Sequence, residues 1–232
     1  MTEELFREDA TLRACAATVL SAAAGGIVLD RTVFYPEGGG QPGDTGMLRW
    51  ADGETPIIDT RKGDGGIVHV PAEGSPLPPA GATVEAVIDW DRRHRHMRMH
   101  TALHLICAIA AAPITGAALT AEKGRIDLDL PDPPDKDALN ARLAEIIRAD
   151  LPVRHDWISD AELDANPALV KTLTVQPPRG QGRVRVVAVE GIDRQPCGGT
   201  HVASTGEIGA VAIGKIDKKG KLNRRFSVVF LD

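Results

Sequence analysis

Two short motifs constrain this 232-residue chain more than anything else in it: HTALH at positions 100–104 and CGGTH at positions 197–201. On a helix, residues four apart lie on one face, so the imidazoles of His100 and His104 can reach a single ion. Cys197 and His201 are also four apart, in a Gly-rich segment able to wrap around a metal. Three imidazoles and one thiolate make a typical tetrahedral zinc set. Cys197 follows His104 by 93 residues, so a shared ion staples the start of a domain to its far side. Either pair alone reads as an ordinary surface or core feature; the combination points to a metal. A metalloprotease is excluded, because H-E-x-x-H needs Glu after the first His and Thr101 stands there.

The first ninety residues read as β structure. Short apolar runs fall at Ala14–Leu20, Gly26–Tyr35, Met47–Trp50, Thr55–Thr60, Gly66–Val70 and Thr83–Asp89, with Gly, Asp and Pro between them. That spacing predicts a small barrel or sandwich. The alanines of the first run favour helix on propensity alone. Strands give way to a helix near Trp90–Arg93, which sets the expected boundary between domains 1–91 and 92–232. Asp91 is the expected N-cap of that helix, and Pro113 ends it near Ala112. Beyond it, Ala117–Leu119 and Arg125–Leu130 form a hairpin with a turn near Glu122–Gly124. Asp135–Ala149 is amphipathic, with Leu139, Leu143, Ile146 and Ile147 on one face. Ser159 and Glu162 make a capping box. Val184–Val189, Ile208–Ile216 and Phe226–Leu231 read as strands. The expected class is α+β.

Composition narrows the partners. Apolar residues make up 43% and charged residues 25%, which excludes general disorder. With four Phe, three Trp and one Tyr, the core must be aliphatic. The net charge of −5 means that nucleic-acid binding needs a local basic patch. Three cysteines do not make a disulfide scaffold, and the acidic N-terminus is unlike a signal peptide, so a cytoplasmic chain with reduced thiols is expected. The longest apolar run, Leu105–Ile114, is about half a membrane span.

The motifs then carry a resemblance. HTALH, followed by GAALTAEKGRIDLDL and by PCGGTHV-x-STGEIG, resembles the editing domain of alanyl-tRNA synthetase. It is similar to the free-standing alanyl-tRNA editing proteins of the AlaX family. FYPEGGGQPGDTG (Phe34–Gly46) resembles the Gly-rich motif of the longer AlaX type. The likeness runs from about residue 5 onward, and His100, His104, Cys197 and His201 all match metal positions of the family. It implies an N-terminal β-barrel and an α+β editing domain of the kind found as the second additional domain of threonyl- and alanyl-tRNA synthetases. It implies one zinc ion per chain and hydrolysis of the ester in mischarged tRNA(Ala), chiefly seryl-tRNA(Ala) with glycyl-tRNA(Ala) second. A chain of this length lacks room for an activation domain, so it would act in trans.

The chemistry leaves alternatives open. Zinc can activate water or polarise a carbonyl. Four protein ligands close a tetrahedral site, so the ion would instead anchor the substrate unless a fifth position opens or a ligand is displaced. A pocket that hydrogen-bonds the serine hydroxyl rejects alanine, which would leave buried polar groups unpaired. The resemblance makes Thr115 the candidate reader of that hydroxyl, against a plain role at the start of a strand. The three glycines at 38–40 are either a flexible turn or a site of close backbone approach to a ligand. In the second case Glu37 and Gln41 face the editing site. Two basic clusters flank the metal motifs. Arg92 and Arg93 lead the first; Lys218, Lys219, Arg224 and Arg225 lie in the second. Phosphate contacts explain such clusters in an acidic chain. No membrane and no obligatory protein partner are expected. The rival readings are a zinc-stabilised tRNA-binding module without hydrolytic activity and a metal-dependent hydrolase of small esters.

Overall fold

In a computed structural model describing residues 2–173 and 182–232, the chain divides into two units, Met1–Arg95 and His96–Asp232. The first contains β1 (Glu3–Glu4), β2 (Ala14–Ala23), β3 (Gly26–Leu29), β4 (Arg31–Thr32), β5 (Gly46–Trp50), β6 (Gly53–Gly63), β7 (Gly66–Pro71) and β8 (Thr83–Ile88). Six of these close into a barrel in the order β2-β3-β7-β6-β5-β8. Closure follows from alternation. Every second residue of β7 and β8 is buried, and Val19, Ile27, Leu29, Leu48, Ile57, Val84 and Ala86 meet inside. The alanine-rich run is a strand despite its helical propensity. Its pairing with β3 and β8 and the burial of Ala17 and Val19 outweigh a preference of a few tenths of a kcal/mol per residue.

The run Gly26–Tyr35 is not one strand. The chain breaks at Asp30, whose carboxylate accepts from the Thr18 amide at 2.7 Å, and β4 leaves to pair in parallel with β1. Within the barrel unit His69 is fully buried. Its Nδ1 lies 3.0 Å from the Ile27 carbonyl and its Nε2 2.8 Å from Thr32 Oγ1, so it is a neutral structural side chain. Burial pushes its pKa down to about 4, against the Ile27 hydrogen bond.

Gly38 and Gln41 exchange backbone hydrogen bonds of 3.1 and 3.0 Å around Gly39 and Gly40. Both central residues have positive φ, +60° and +82°, as a two-residue type I′ hairpin requires. Gly43 meets β6 so closely that a Cβ would fall 2.1 Å from the Thr60 carbonyl. The Gly-rich run is therefore a tight turn and a close backbone contact within the barrel unit.

Helix α1 (Trp90–Ala110) follows β8 directly. Asp89, not Asp91, caps it: Asp89 Oδ1 accepts from the Arg92 amide at 3.1 Å, because the helix begins at Trp90 and leaves Asp91 in the first turn. Arg93 is fully buried. Its Nε lies 2.9 and 3.1 Å from the two oxygens of Asp44, and Nη2 reaches both that carboxylate and the Val33 carbonyl. Nη1 donates to the Ala10 carbonyl at 3.1 Å. Arg93 is thus a buried side chain committed to Asp44, Val33 and Ala10, away from the exposed setting that its expected part in tRNA binding calls for. Arg92 gives Nη1 to the Gly43 carbonyl at 2.7 Å.

The second unit holds the rest of α1 with β9 (Ile114–Leu119), β10 (Lys123–Asp129), α2 (Lys136–Arg148), β11 (Val153–Ile158), α3 (Asp160–Ala165), β12 (Val184–Val189), β13 (Asp193–Pro196), β14 (Val211–Lys218) and β15 (Asn223–Phe230). The strands form antiparallel sheets in the orders β14-β15-β10-β9 and β11-β12-β13. This is the expected α+β class, a barrel followed by a mixed domain. Helix α1 is buried on several sides, through Met97, Met99, Leu103, Leu105, Ile106 and Cys107. Sheet and helix touch at Gly124, where a Cβ would lie 2.7 Å from Met99 Sδ. Asp135 caps α2, and the Ser159–Glu162 box opens α3. The β9–β10 turn lies one or two residues earlier than expected, because Thr120 Oγ1 accepts from the Glu122 and Lys123 amides and frees Lys123 to begin the strand. Among the described residues no helix is long and apolar enough to cross a membrane.

The Arg93–Asp44 pair carries a stability prediction for the barrel unit. Asp44→Ala leaves a buried guanidinium without its counter-charge and should destabilise that unit by about 3–5 kcal/mol, read as a lowered urea midpoint from the barrel's Trp50 fluorescence. A change under about 1 kcal/mol would show the pair to be dispensable.

Candidate metal centre

Four side chains of the second unit converge. His100 and His104 project from one face of α1, and Cys197 and His201 come from the loop after β13. One potential ligand atom from each lies within 4.8 Å of all the others. Cys197 Sγ is 3.6 Å from His100 Nε2 and 3.3 Å from His201 Nε2. A tetrahedral ion with metal–sulfur and metal–nitrogen bonds of roughly 2.3 and 2.05 Å places these atoms about 3.6 Å apart. The donor set and its spacing therefore fit one metal ion.

The loop is shaped by its neighbours. Arg185 on β12 donates Nη1 to the carbonyls of Cys197 and Gly199, each at 3.0 Å, while the Cys197 amide donates back to the Arg185 carbonyl at 3.0 Å. Beyond His201, Glu207 accepts from the amides of Ala203 and Ser204, which turns the chain into a 3-10 segment, Thr205–Ile208. Ring orientation is set from behind. Thr101 Oγ1 donates to the Met97 carbonyl at 2.9 Å, so its oxygen accepts from His201 Nδ1 at 3.1 Å. This leaves His201 Nε2 as the bare nitrogen facing the cluster. Asp193 Oδ2 lies 3.3 Å from His104 Nδ1, an ion-pair contact without hydrogen-bond geometry.

The electrostatics suit a cation. Burial pushes the Cys197 thiol up, but His100, His201 and His104 outweigh it and hold its pKa well below the usual value. Burial and the charge of His100 push His201 down to about 3. Burial opposes charge on His104 too, yet the Cys197 thiolate and Asp193 carry it up to about 9. Without an ion, one imidazole must keep a proton to balance the thiolate. A divalent ion replaces that proton and meets one thiolate and three neutral rings.

The other expected site residues fall on both units. Thr115, on β9, donates its hydroxyl to the Asp127 carbonyl at 3.1 Å. Glu37 is exposed and Gln41 fully buried, both beside the I′ hairpin of the barrel unit. Arg224 is buried, with its guanidinium on the carbonyls of Pro131, Gly220 and Asn223, away from the exposed setting that its expected phosphate contact calls for. Arg225 is half-buried and grips Asp127 with Nε and Nη2 at 2.7 and 2.8 Å. Lys218 and Lys219 are exposed at the β14–β15 turn. Sequence reasoning missed Thr101, Asp193 and Arg185. The position of Thr101 between the two histidines and of Asp193 four residues before Cys197 was visible, but no local pattern says which ring either one meets.

Comparison with known proteins follows these features. Residues 184–227 match the family described as Threonyl and Alanyl tRNA synthetase second additional domain, and residues 8–92 match tRNA synthetases class II (A). The two units are thus those of an aminoacyl-tRNA synthetase-related protein. The chain is 41% identical to alanyl-tRNA editing protein AlaX-M of Methanosarcina acetivorans over the whole of both chains. It is 41% identical to that of Methanosarcina mazei over all of this chain and 98% of the other. It is also 38% identical to alanine–tRNA ligase of Pyrobaculum neutrophilum over 94% of this chain, but over only 25% of the ligase. The chain belongs to the AlaX-M family of alanyl-tRNA editing proteins.

The cluster makes a direct prediction. Purified protein loaded with cobalt(II) should hold about one ion per chain and show tetrahedral d–d bands with a thiolate charge-transfer band. Cys197→Ser should lose the charge-transfer band, and His104→Ala should lower occupancy at least tenfold. Unchanged spectra in both variants would remove these residues from the site.

Proposed function

We propose that this chain is a zinc-dependent hydrolase that acts in trans on mischarged tRNA(Ala), with seryl-tRNA(Ala) the chief substrate and glycyl-tRNA(Ala) the second. The observation that carries the reading is the His3Cys cluster in a chain that aligns end to end with free-standing AlaX-M proteins. Zinc suits this set because thiolate and imidazole together favour it in tetrahedral geometry, and when bound it supplies a Lewis acid at the reacting end of the substrate.

The chain's own residues do the rest. Thr101 and Asp193 hold the rings of His201 and His104 in their ligating orientation. Thr115 donates its hydroxyl to the Asp127 carbonyl at 3.1 Å, and this side chain is the one assigned to read a serine hydroxyl. Its neighbour Ile114 donates its amide to the carbonyl of Lys171, whose ammonium pairs with Asp193, which links the start of β9 to the residue facing His104. A pocket that reads the hydroxyl in this way disfavours alanine, which leaves the acceptor unpaired. Lys218 and Lys219, exposed and close together, take the phosphate contacts assigned to the second basic cluster.

A closed set of four protein ligands favours the second reading, a zinc-stabilised tRNA-binding module. One assay separates the two. Seryl-tRNA(Ala) should lose its amino acid at least tenfold faster than alanyl-tRNA(Ala), and Thr115→Val should narrow that ratio. Binding without deacylation would establish the module; equal rates on both substrates would indicate an unselective esterase. For the tRNA surface, replacing Lys218 and Lys219 by Ala should flatten the salt dependence of log K by roughly 0.7 to 0.9 for each phosphate that the variant no longer neutralises, with the cobalt spectrum unchanged. An unaltered slope would place the tRNA elsewhere.

A further inference from the structure

Asp193 is an unusual residue to find where it is. It opens β13, its carboxylate is almost fully buried, and a buried anion costs several kcal/mol unless its oxygens are satisfied. Here three groups share it. Oδ2 faces His104 Nδ1 at 3.3 Å and accepts from Gln195 Nε2 at 2.8 Å, while Oδ1 is paired with the ammonium of Lys171. The 3.3 Å contact with His104 lacks hydrogen-bond geometry, so its electrostatic part matters most.

Lys171 arrives by a separate route. The Ile114 amide donates to its carbonyl at 2.7 Å, the Leu173 amide donates to the Ile114 carbonyl at 2.9 Å, and Ile114 and Thr172 form a parallel bridge. That register ties the residues after Leu169 to the first residue of β9 and fixes Lys171 at Asp193. Its side chain is partly solvated, with 25% relative exposure, so its charge need not be held there to avoid burial cost.

We propose that Asp193 and Lys171 form an opposed pair that sets how tightly the His3Cys cluster holds its ion, Asp193 as the positioning residue behind His104 and Lys171 as the counter-charge that limits it. The proposal rests on the metal reading above. A divalent ion and one thiolate leave the cluster with one positive charge. Asp193 offsets that charge and, with Oδ2 3.3 Å from His104 Nδ1, favours the ring orientation that turns Nδ1 toward the carboxylate. Lys171 opposes it twice: it repels the ion, and from Oδ1 it offsets the negative charge of the carboxylate whose Oδ2 faces His104. The two residues touch each other, yet their removal acts on the ion with opposite sign. A pair kept only for packing would weaken the cluster, or leave it alone, whichever member is removed.

The test is cobalt(II) affinity of the full chain, by competition with a chromophoric chelator at fixed pH and salt, for wild type, Asp193→Asn and Lys171→Met. Asp193→Asn should bind roughly 10- to 100-fold more weakly. Lys171→Met should bind roughly 3- to 10-fold more tightly. Circular dichroism of the metal-free proteins checks folding. If Asp193→Asn does not fold, the partly exposed Lys171→Met still decides the matter by its sign. Wild-type protein that takes up no cobalt overturns the metal reading and the pair with it. Wild-type binding with Lys171→Met unchanged or weakened overturns the pair alone.

Discussion

Everything in the second unit answers to one demand: three imidazoles and a thiolate must meet within 4.8 Å although they come from a helix and a distant loop. The helix meets it by being held on several sides. Met97, Met99, Leu103 and Ile106 are buried, and β10 comes close enough at Gly124 to touch Met99, so the face carrying His100 and His104 has little freedom to rotate. The loop meets it through Arg185, which holds two of its carbonyls from β12, and through Glu207, which turns the chain after His201. The glycines let this loop bend, but the arginine decides where it bends. Thr101 and Asp193 stand behind the rings of His201 and His104.

The basic residues show how little charge alone says about role. Arg92 and Arg93 are adjacent and look alike as sequence, as do Arg224 and Arg225. In the structure Arg93 lies inside the barrel unit on Asp44, and Arg224 caps a set of carbonyls. Arg225 is committed to Asp127, which leaves the exposed lysines of the β14–β15 turn as the freest cations of that cluster. A buried guanidinium can satisfy several carbonyls and a carboxylate at once, which lysine cannot do. This is why Arg93 and Arg224 can lie inside while Lys218 and Lys219 stay outside.

Much of this was legible in the sequence. The barrel strands announced themselves because every second residue must be apolar on a closed sheet, and the two metal motifs because their spacing leaves few other uses. What could not be read depended on contacts far along the chain. β11 (Arg154, His155 and Asp156 are exposed) has no apolar alternation and is held by backbone pairing with β12. β13 is four residues of mixed polarity held in the same way. The burial of Arg93 depends on Asp44, 49 residues earlier, and the orientation of His201 on Thr101, 100 residues earlier. Local pattern shows which residues want to be buried or to bind; it does not show which partner satisfies them.

The distance along the chain between the two halves of the cluster also fixes an order of events during synthesis. His104 is made 93 residues before Cys197. At about 5–20 residues per second, that interval is roughly 5 to 20 s. Throughout it the growing site offers two imidazoles and no thiolate, a weak set open to several first-row metals. The soft donor that favours zinc or copper over magnesium or manganese comes third, four residues before His201, with β12 and the arginine that shapes its loop already made. Any choice among ions that rests on the thiolate is therefore deferred to the late part of synthesis.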